Sequence, residues 1–431
     1  MKKYLAKILN ASLLMILLFL THNTRADVIA DWNAIAVQST VTAGRPGPSG
    51  VIDVAIVHAA MYDAVQAIER RYEPYYAEIP GATGSPIAAA ARAARDVLLN
   101  RFPTQNVAIE TAYQQYLVTN GIPESDPGLA VGASAASTII AMRSCDGSFP
   151  TGPQVPFIGG TGIGVWRPTP PANSPMAAPW LGHVMPFFMT RPSQFRAEPP
   201  PAINSREYMR DYNEVKSVGA STGSSRTPEQ TDVAYFYAGN TGVIWNRALR
   251  DIANARFYNV ADSSRMFALA TMAVADALIT SWNDKTHYVF WRPITAIREG
   301  DADGNPATTG DPTWNSLITT PNYPDYTSGA VNFATATTKM LEHFFETDSI
   351  SFSLTTTNTA PTTQDTRTYN RLSDAAQDVV DARIYAGIHF RFADEAARKQ
   401  AREIALWGYR NYLRPVNKIG HGPGLPAAAA K

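Results

Sequence analysis

The sequence predicts an all-α fold, a bundle of helices gathered in one domain. Three observations carry that prediction. Apolar side chains recur at helical spacing, as in Ile52, Val54, Ala55, Val57, Met61, Ala64, Val65 and Ile68, so they share one face of a helix. No alternating, strand-like pattern persists over any stretch, which argues against a sheet core. Apolar residues make up 45% and charged residues 17% of the 431 positions, a composition suited to a soluble globular protein with a large core.

Taken in order, residues 47–70 form the first amphipathic helix. Residues 86–101 are Ala-rich with Arg92, Arg95 and Arg101, a strongly helix-favouring mixture. Residues 105–118 and 127–143 read as two more helices. Residues 147–205 change character: Pro and Gly are frequent, yet Phe157, Trp166, Trp180, Phe187, Phe188 and Phe195 are spread among them. A polar linker would not carry so many aromatic rings, so this stretch is expected to be a long ordered loop wrapped over the helices. Thr227-Pro228-Glu229 then supplies a cap, a first-turn proline and a first-turn acid for the next helix. Helices are expected over 262–283, which contains Asp276, and over 329–346, 371–390 and 394–413. The Thr-rich residues 351–369 read as a loop, and residues 418–431 as a disordered tail.

The first 26 residues stand apart. Lys2, Lys3 and Lys7 precede the apolar run from Leu13 to Leu20, and Thr24-Arg25-Ala26 ends in a small residue. That is the layout of a secretory signal peptide, too short to span a membrane. Residues 27–417 are then one helical domain, secreted or periplasmic, with no stable membrane anchor. The balance of 37 basic and 37 acidic residues holds no polybasic footprint, so nucleic acid is not an expected partner. The single cysteine, Cys145, permits no intrachain disulfide. An exported chain of this length depends on its core instead.

Three blocks in the last third of the chain suit a tetrahedral oxyanion. Lys285 and Arg292 lie seven apart, before Pro293. If residues 283–292 are helical, the two cations share a face about 10 Å apart. Trp282, Tyr288, Phe290 and Trp291 surround them, which implies burial, and a buried cation needs an anionic partner. The adjacent acid, Asp284, faces another way. Ser328-Gly329 opens a helix whose first amides favour an anion. Arg383 and His389 end another helix, offering a planar donor and an imidazole. By contrast, Asp301-Ala302-Asp303-Gly304-Asn305 lacks the closing glutamate of a calcium loop, with Pro312 in its place, and reads as a turn.

Lys-x6-Arg-Pro, Ser-Gly and Arg-x5-His together resemble the superfamily of vanadium-dependent haloperoxidases and type 2 phosphatidic acid phosphatases. Trp32-Asn33, the run from His58 to Ala64, Trp166-Arg-Pro-Thr-Pro, the run from Arg226 to Thr231, the run from Trp291 to Ile297 and the run from Arg383 to Phe390 resemble its bacterial haloperoxidase-like branch. The resemblance implies a fold of two four-helix-bundle-like halves. It implies that Lys285, Arg292 and Arg383 hold vanadate oxygens, with hydrogen bonds from Ser328 and the Gly329 amide. His389 would be the vanadium ligand of a peroxidase or the nucleophile of a phosphatase, and Tyr323 would tune halide preference. The implied activity is an exported, vanadate-dependent peroxidase using hydrogen peroxide on a halide or small organic substrate, with phosphate competing for the site. A secreted acid phosphatase and a non-catalytic oxyanion-binding relative are the alternatives.

The chain departs from the family pattern at two places. Thr327-Ser328-Gly329-Ala330 has alanine where the pattern has its acid/base histidine, and Ala382 precedes the arginine where the pattern has serine. Losing a general acid/base group lowers turnover by about 10²–10⁴-fold, whereas anion binding does not use that group. His287, Asp325 and Tyr326 are candidates for a substitute proton relay.

Overall fold

The computed structural model describes residues 27–416 apart from Tyr258 and Pro361. The expected signal peptide and C-terminal tail lie outside the described residues. Among the described residues the chain forms thirteen α-helices. These are α1 (Val28–Thr42), α2 (Gly50–Glu69), α3 (Pro86–Arg101), α4 (Asn106–Thr119), α5 (Pro127–Arg143), α6 (Arg206–Val218) and α7 (Pro228–Phe236). They continue as α8 (Thr241–Arg256), α9 (Val260–Tyr288), α10 (Pro293–Arg298), α11 (Gly329–Phe345), α12 (Leu372–Tyr385) and α13 (Arg391–Asn411).

Local chemistry sets the helix starts. Ser85, Asp126 and Thr227 each cap a helix that begins with proline, and Thr227 forms a reciprocal capping box with Gln230. The side-chain oxygen accepts a backbone N–H the helix leaves free, and proline occupies a position needing no donor.

Helix α9 is the axis of the molecule. It packs on α2 to one side and on α11 and α13 to the other. One apolar cluster runs through these helices, from Val28 in α1 to Leu413 beyond α13. Both α2 and α9 are long and apolar enough to cross a membrane, and both are almost wholly buried inside the protein, which accounts for their composition.

The aromatic stretch is an ordered loop, as its composition predicts, and α9 pins it. Asp276 accepts hydrogen bonds from the amides of Phe187, Phe188 and Met189 at 2.7, 2.8 and 3.2 Å. Asp63 in α2 does the same for Tyr75, Tyr76 and Ala77 at 2.6, 3.0 and 2.7 Å. A buried carboxylate that receives three amides gains charge-assisted bonds while satisfying backbone groups that have no other partner.

The structure corrects two expectations. The Thr-rich stretch is not all loop: β1 (Phe352–Thr355) and β2 (Thr366–Tyr369) form an antiparallel hairpin in which Phe352 pairs with Tyr369. β-branched threonines favour extended backbone, and Phe352, Leu354 and Tyr369 supply its buried face. Helix α9 also runs past residue 283, reaching Tyr288. Helices α1, α6, α8 and α10 are not among the expected ones. Helix α1 is apolar on several faces, and α6 is mostly polar with only Tyr208, Asp211, Tyr212 and Val215 buried.

Helix α1 carries a testable charge conflict. Burial, and then the neighbouring Asp27, raises the Asp31 pKa to about 6. A folded-state pKa above the unfolded one means the contribution is fully present below the unfolded value. It is lost as pH rises through about 6. Asp31→Asn is therefore expected to stabilise the protein by about 1–3 kcal/mol in neutral solution, with the gain shrinking under acid conditions. Urea unfolding at the two pH values checks both the sign and its pH dependence.

Candidate oxyanion site

Helix α9 stops where Val289 turns left-handed at φ 49°, its amide bonding back to the Lys285 carbonyl. Arg292 is extended, as the residue before a proline tends to be, and it caps α10. The shared helical face expected for Lys285 and Arg292 is thus absent. The two cations meet because the chain folds back between them. The aromatic loop clasps that fold: the Trp166 amide donates to the Val289 carbonyl at 2.6 Å, and the Trp291 amide to Gly164 at 3.0 Å.

Lys285 is fully buried, and its Nζ donates to the carbonyls of Pro324 and Asp325 at 2.7 and 3.0 Å. The Tyr323 ring lies 5.0 Å from that Nζ and 4.9 Å from the Arg292 guanidinium carbon. Arg292 Nε donates to the Tyr323 carbonyl at 2.8 Å, and Nη1 donates to the Ile388 carbonyl. These two cations therefore hold the 323–325 segment and the His389 turn in place. Arg292 Nη2 remains without a partner.

Arg383 comes from the last turn of α12, and its Nη2 donates to the Tyr237 carbonyl at 2.7 Å while Nε has no partner. His389 is not on that helix, which ends at Tyr385. It lies in a turn whose Gly387 has φ 76°. A Cβ on Gly387 would collide with the Gly219 carbonyl, and a Cβ on Gly219 would collide with Gly387. Arg226 secures the same corner by donating Nη1 to the Tyr385 carbonyl at 3.0 Å.

The His389 ring is buried between two groups. Nδ1 is 2.7 Å from Asp325 Oδ1, and Nε2 is 3.1 Å from Arg292 Nη1. Arg292 can only donate, so Nε2 carries the lone pair and Nδ1–H donates to Asp325. Burial, then Arg292, Lys285 and Arg383, hold the imidazole well below its ordinary pKa, which keeps it neutral. Burial raises Asp325 to about 7 against the pull of Arg292 and Lys285. Lys285 is itself pushed well below the usual ammonium range by burial and by Arg292.

Ser328 and Gly329 begin α11 beside these groups. The Ser328 hydroxyl makes no cap bond. It lies against the buried carboxyl of Asp394, to which it can donate. Behind the Ser-Gly turn, Thr327 Oγ1 and Asn332 Nδ2 both donate to Gln400 Oε1 at 3.1 Å, and Gln400 Nε2 donates to Asp284 at 2.7 Å. Asp284 therefore faces α13, away from the cations, as the sequence indicates.

A cavity of about 340 Å³ opens onto the site, lined among others by Leu278, Trp282, Tyr323, Gly329, Ala330 and Arg383. Neither Lys285 nor Arg292 is among its walls. Of the candidate proton-relay groups, only Asp325 sits with the cations. His287 is exposed, and the Tyr326 hydroxyl donates to the Glu198 carbonyl. Asp394 and Tyr237 belong to the site without having been singled out in sequence. An acid in the first turn of α13 reads as an ordinary complement to the helix dipole, and Tyr237 contributes only its backbone. The 301–305 segment is a turn, with Asp303 Oδ1 accepting from the Asn305 amide at 2.7 Å.

The residues fit an anionic tetrahedral group. Arg292 Nη2 and Arg383 Nε are buried donors without acceptors, and leaving such donors unmet is costly. The donor set is cationic, which suits an oxyanion such as vanadate or phosphate.

Comparison with known proteins points the same way. Residues 265–418 match the family model described as the VCPO second helical-bundle domain. Lys285, Arg292, Ser328, Arg383 and His389 all fall inside that match. An alignment of 240 positions, covering 48% of this chain and 36% of the other, is 27% identical to the vanadium chloroperoxidase of Curvularia inaequalis. The crystal structure of a bacterial vanadium-dependent iodoperoxidase superposes with a TM-score of 0.76 at 21% identity, over 92% of this chain and 99% of that one. A holo-type bacterial vanadium-dependent chloroperoxidase gives a TM-score of 0.69 at 17% identity, over 87% of this chain and 92% of that one. Residues 265–418 are thus similar to the VCPO second helical-bundle domain, and the chain has the fold of the vanadium haloperoxidase structures.

Proposed function

We propose that this protein is an exported, vanadate-dependent, haloperoxidase-like oxidoreductase that uses hydrogen peroxide to oxidise a halide or a small organic substrate. The observation that supports it most is the pair of buried donors without acceptors, Arg292 Nη2 and Arg383 Nε, on the two guanidiniums whose charges bear on the buried His389 ring. In this reading Lys285, Arg292, Arg383, Ser328 and the start of α11 at Gly329 hold vanadate, and His389 is the ring that faces it. Bound vanadate supplies Lewis acidity that activates peroxide. Asp325 fixes the His389 tautomer, so Nε2 carries the lone pair that accepts from Arg292 Nη1. Trp282, Tyr323 and Phe333 give the cavity an aromatic lining. The layout of residues 1–26 supports export.

Ala330 brings no proton-carrying side chain to the cavity, so turnover is expected to be about 10²–10⁴-fold below that of a chain with a working acid/base group there. The test is the full chain loaded with orthovanadate and assayed for peroxide-dependent bromination and sulfide oxidation. Activity should require vanadate and fall when phosphate is added in excess. Aryl and alkyl phosphates are assayed in parallel without vanadate. Aryl phosphate hydrolysis with no peroxide turnover would transfer the assignment to an acid phosphatase. Vanadate binding with neither activity would make the protein a non-catalytic oxyanion binder.

A further inference from the structure

The Ser328-Gly329 turn is held from behind by the middle of α13. Gln400 lies on that helix and is buried. Its Oε1 accepts from Thr327 Oγ1 and from Asn332 Nδ2, both at 3.1 Å. Its Nε2 donates to Asp284 Oδ2 at 2.7 Å and to the Phe195 carbonyl at 2.8 Å. Two bonds accepted and two donated use everything a carboxamide offers. A flipped amide would set its oxygen against the Asp284 and Phe195 oxygens, so the side chain has one orientation. On the other side of the turn there is no slack. A Cβ on Gly329 would lie 2.9 Å from the Trp282 ring.

We propose that Gln400 is a positioning residue of the oxyanion site, one that sets the distance between the Lys285 end of α9 and the Ser328-Gly329 turn. This rests on the oxyanion reading above and adds to it a residue outside the cavity. Asp284 is the neighbour of Lys285, and Thr327 immediately precedes Ser328. One side chain therefore grips both blocks, one residue away from the groups assigned to the anion. Backbone bonds hold the turn as well: the Ser328 amide donates to the Ala393 carbonyl at 3.2 Å, and Ser281 Oγ donates to the Thr327 carbonyl at 2.9 Å. Gln400 is the link that ties the turn and α9 to a common point on α13. Gly329 and Ala330, next along the chain, line the cavity. A buried polar network with every member satisfied is rigid, so the first amides of α11 stay where an anion can use them. Small displacements of such donors are expensive, since a shift of about 1 Å can cost a hundredfold.

The measurement is calorimetric titration of the vanadate-free full chain with inorganic phosphate, paired with the thermal midpoint of the same preparation. Gln400→Met is expected to weaken phosphate binding by about 10–100-fold, at a temperature where circular dichroism shows the variant folded. Thr327→Val removes just the hydroxyl of the turn and should weaken binding by about fivefold. It decides the matter if Gln400→Met does not fold. Gln400→Glu sets one carboxyl against another and should bind phosphate weakly. Adding Asp284→Asn returns a donor to that pair with the charges exchanged, and should recover part of the lost affinity. A residue that merely filled the core would lower the thermal midpoint and leave the affinity of the folded protein untouched. Unchanged affinity in folded Gln400→Met, or in Thr327→Val if the former does not fold, would overturn this inference and leave the oxyanion site standing. So would an exchanged pair that binds no better than Gln400→Glu alone. Absence of phosphate binding by the unmodified protein would overturn the site itself, and the role of Gln400 with it.

Discussion

Replacing Ala330 with histidine is expected to raise vanadate-supported peroxide turnover by about 10²–10⁴-fold. Ala330 is the second residue of α11, half-buried, and it lines the cavity beside Arg383 and Tyr323. An open volume of about 340 Å³ lies in front of it, so an imidazole has room without overpacking the core. The positive end of α11 disfavours a charged ring there, which keeps the histidine able to take a proton as well as return one. Vanadate affinity should change little, since the anion's other donors are untouched. The gain should therefore appear in kcat. Unchanged turnover in a variant that folds and binds vanadate normally would mean that proton transfer at position 330 does not limit this protein.

Arg383→Met is the second large effect, in the opposite direction. Of the three site cations, Arg383 alone borders the cavity. Lys285 and Arg292 bond to the carbonyls of Pro324, Asp325, Tyr323 and Ile388, so part of their role is to hold two chain segments together. Removing Arg383 takes away a charge-assisted donor aimed at the ligand, and turnover should fall by about 10²–10³-fold. Vanadate binding, followed by quenching of the neighbouring Trp282, should weaken in parallel. Lys285→Met, by comparison, should also lower the thermal midpoint, because it frees the 323–325 segment. Retention of full vanadate affinity by Arg383→Met would remove this arginine from the ligand's surroundings.

The helix after Thr227-Pro228 was legible in sequence from its capping chemistry, whereas α6 was not, although Ser205 caps it and Tyr208, Tyr212 and Val215 share one face. The hairpin at 352–369 was not, because two strands of four residues each are too short to display an alternating pattern against a threonine-rich background. For the site, the identities of Lys285, Arg292, Ser328, Arg383 and His389 were readable as a set. Their geometry was not. Helical spacing placed Lys285 with Arg292 by a route the chain does not take, since Val289 leaves the helix between them. It placed His389 on a helix that ends four residues earlier, at Tyr385. Asp394 was invisible for another reason: an acid in the first turn of a helix is an ordinary complement to its dipole.

The contact between Gly219 and Gly387 reaches beyond local geometry. Backbone meets backbone there with no side chain between, which welds the loop after α6 to the corner that carries His389. Positions far apart along the polypeptide thus share a single fate in evolution: a methyl acquired at one must be matched by a retreat at the other, or the imidazole is carried off with it.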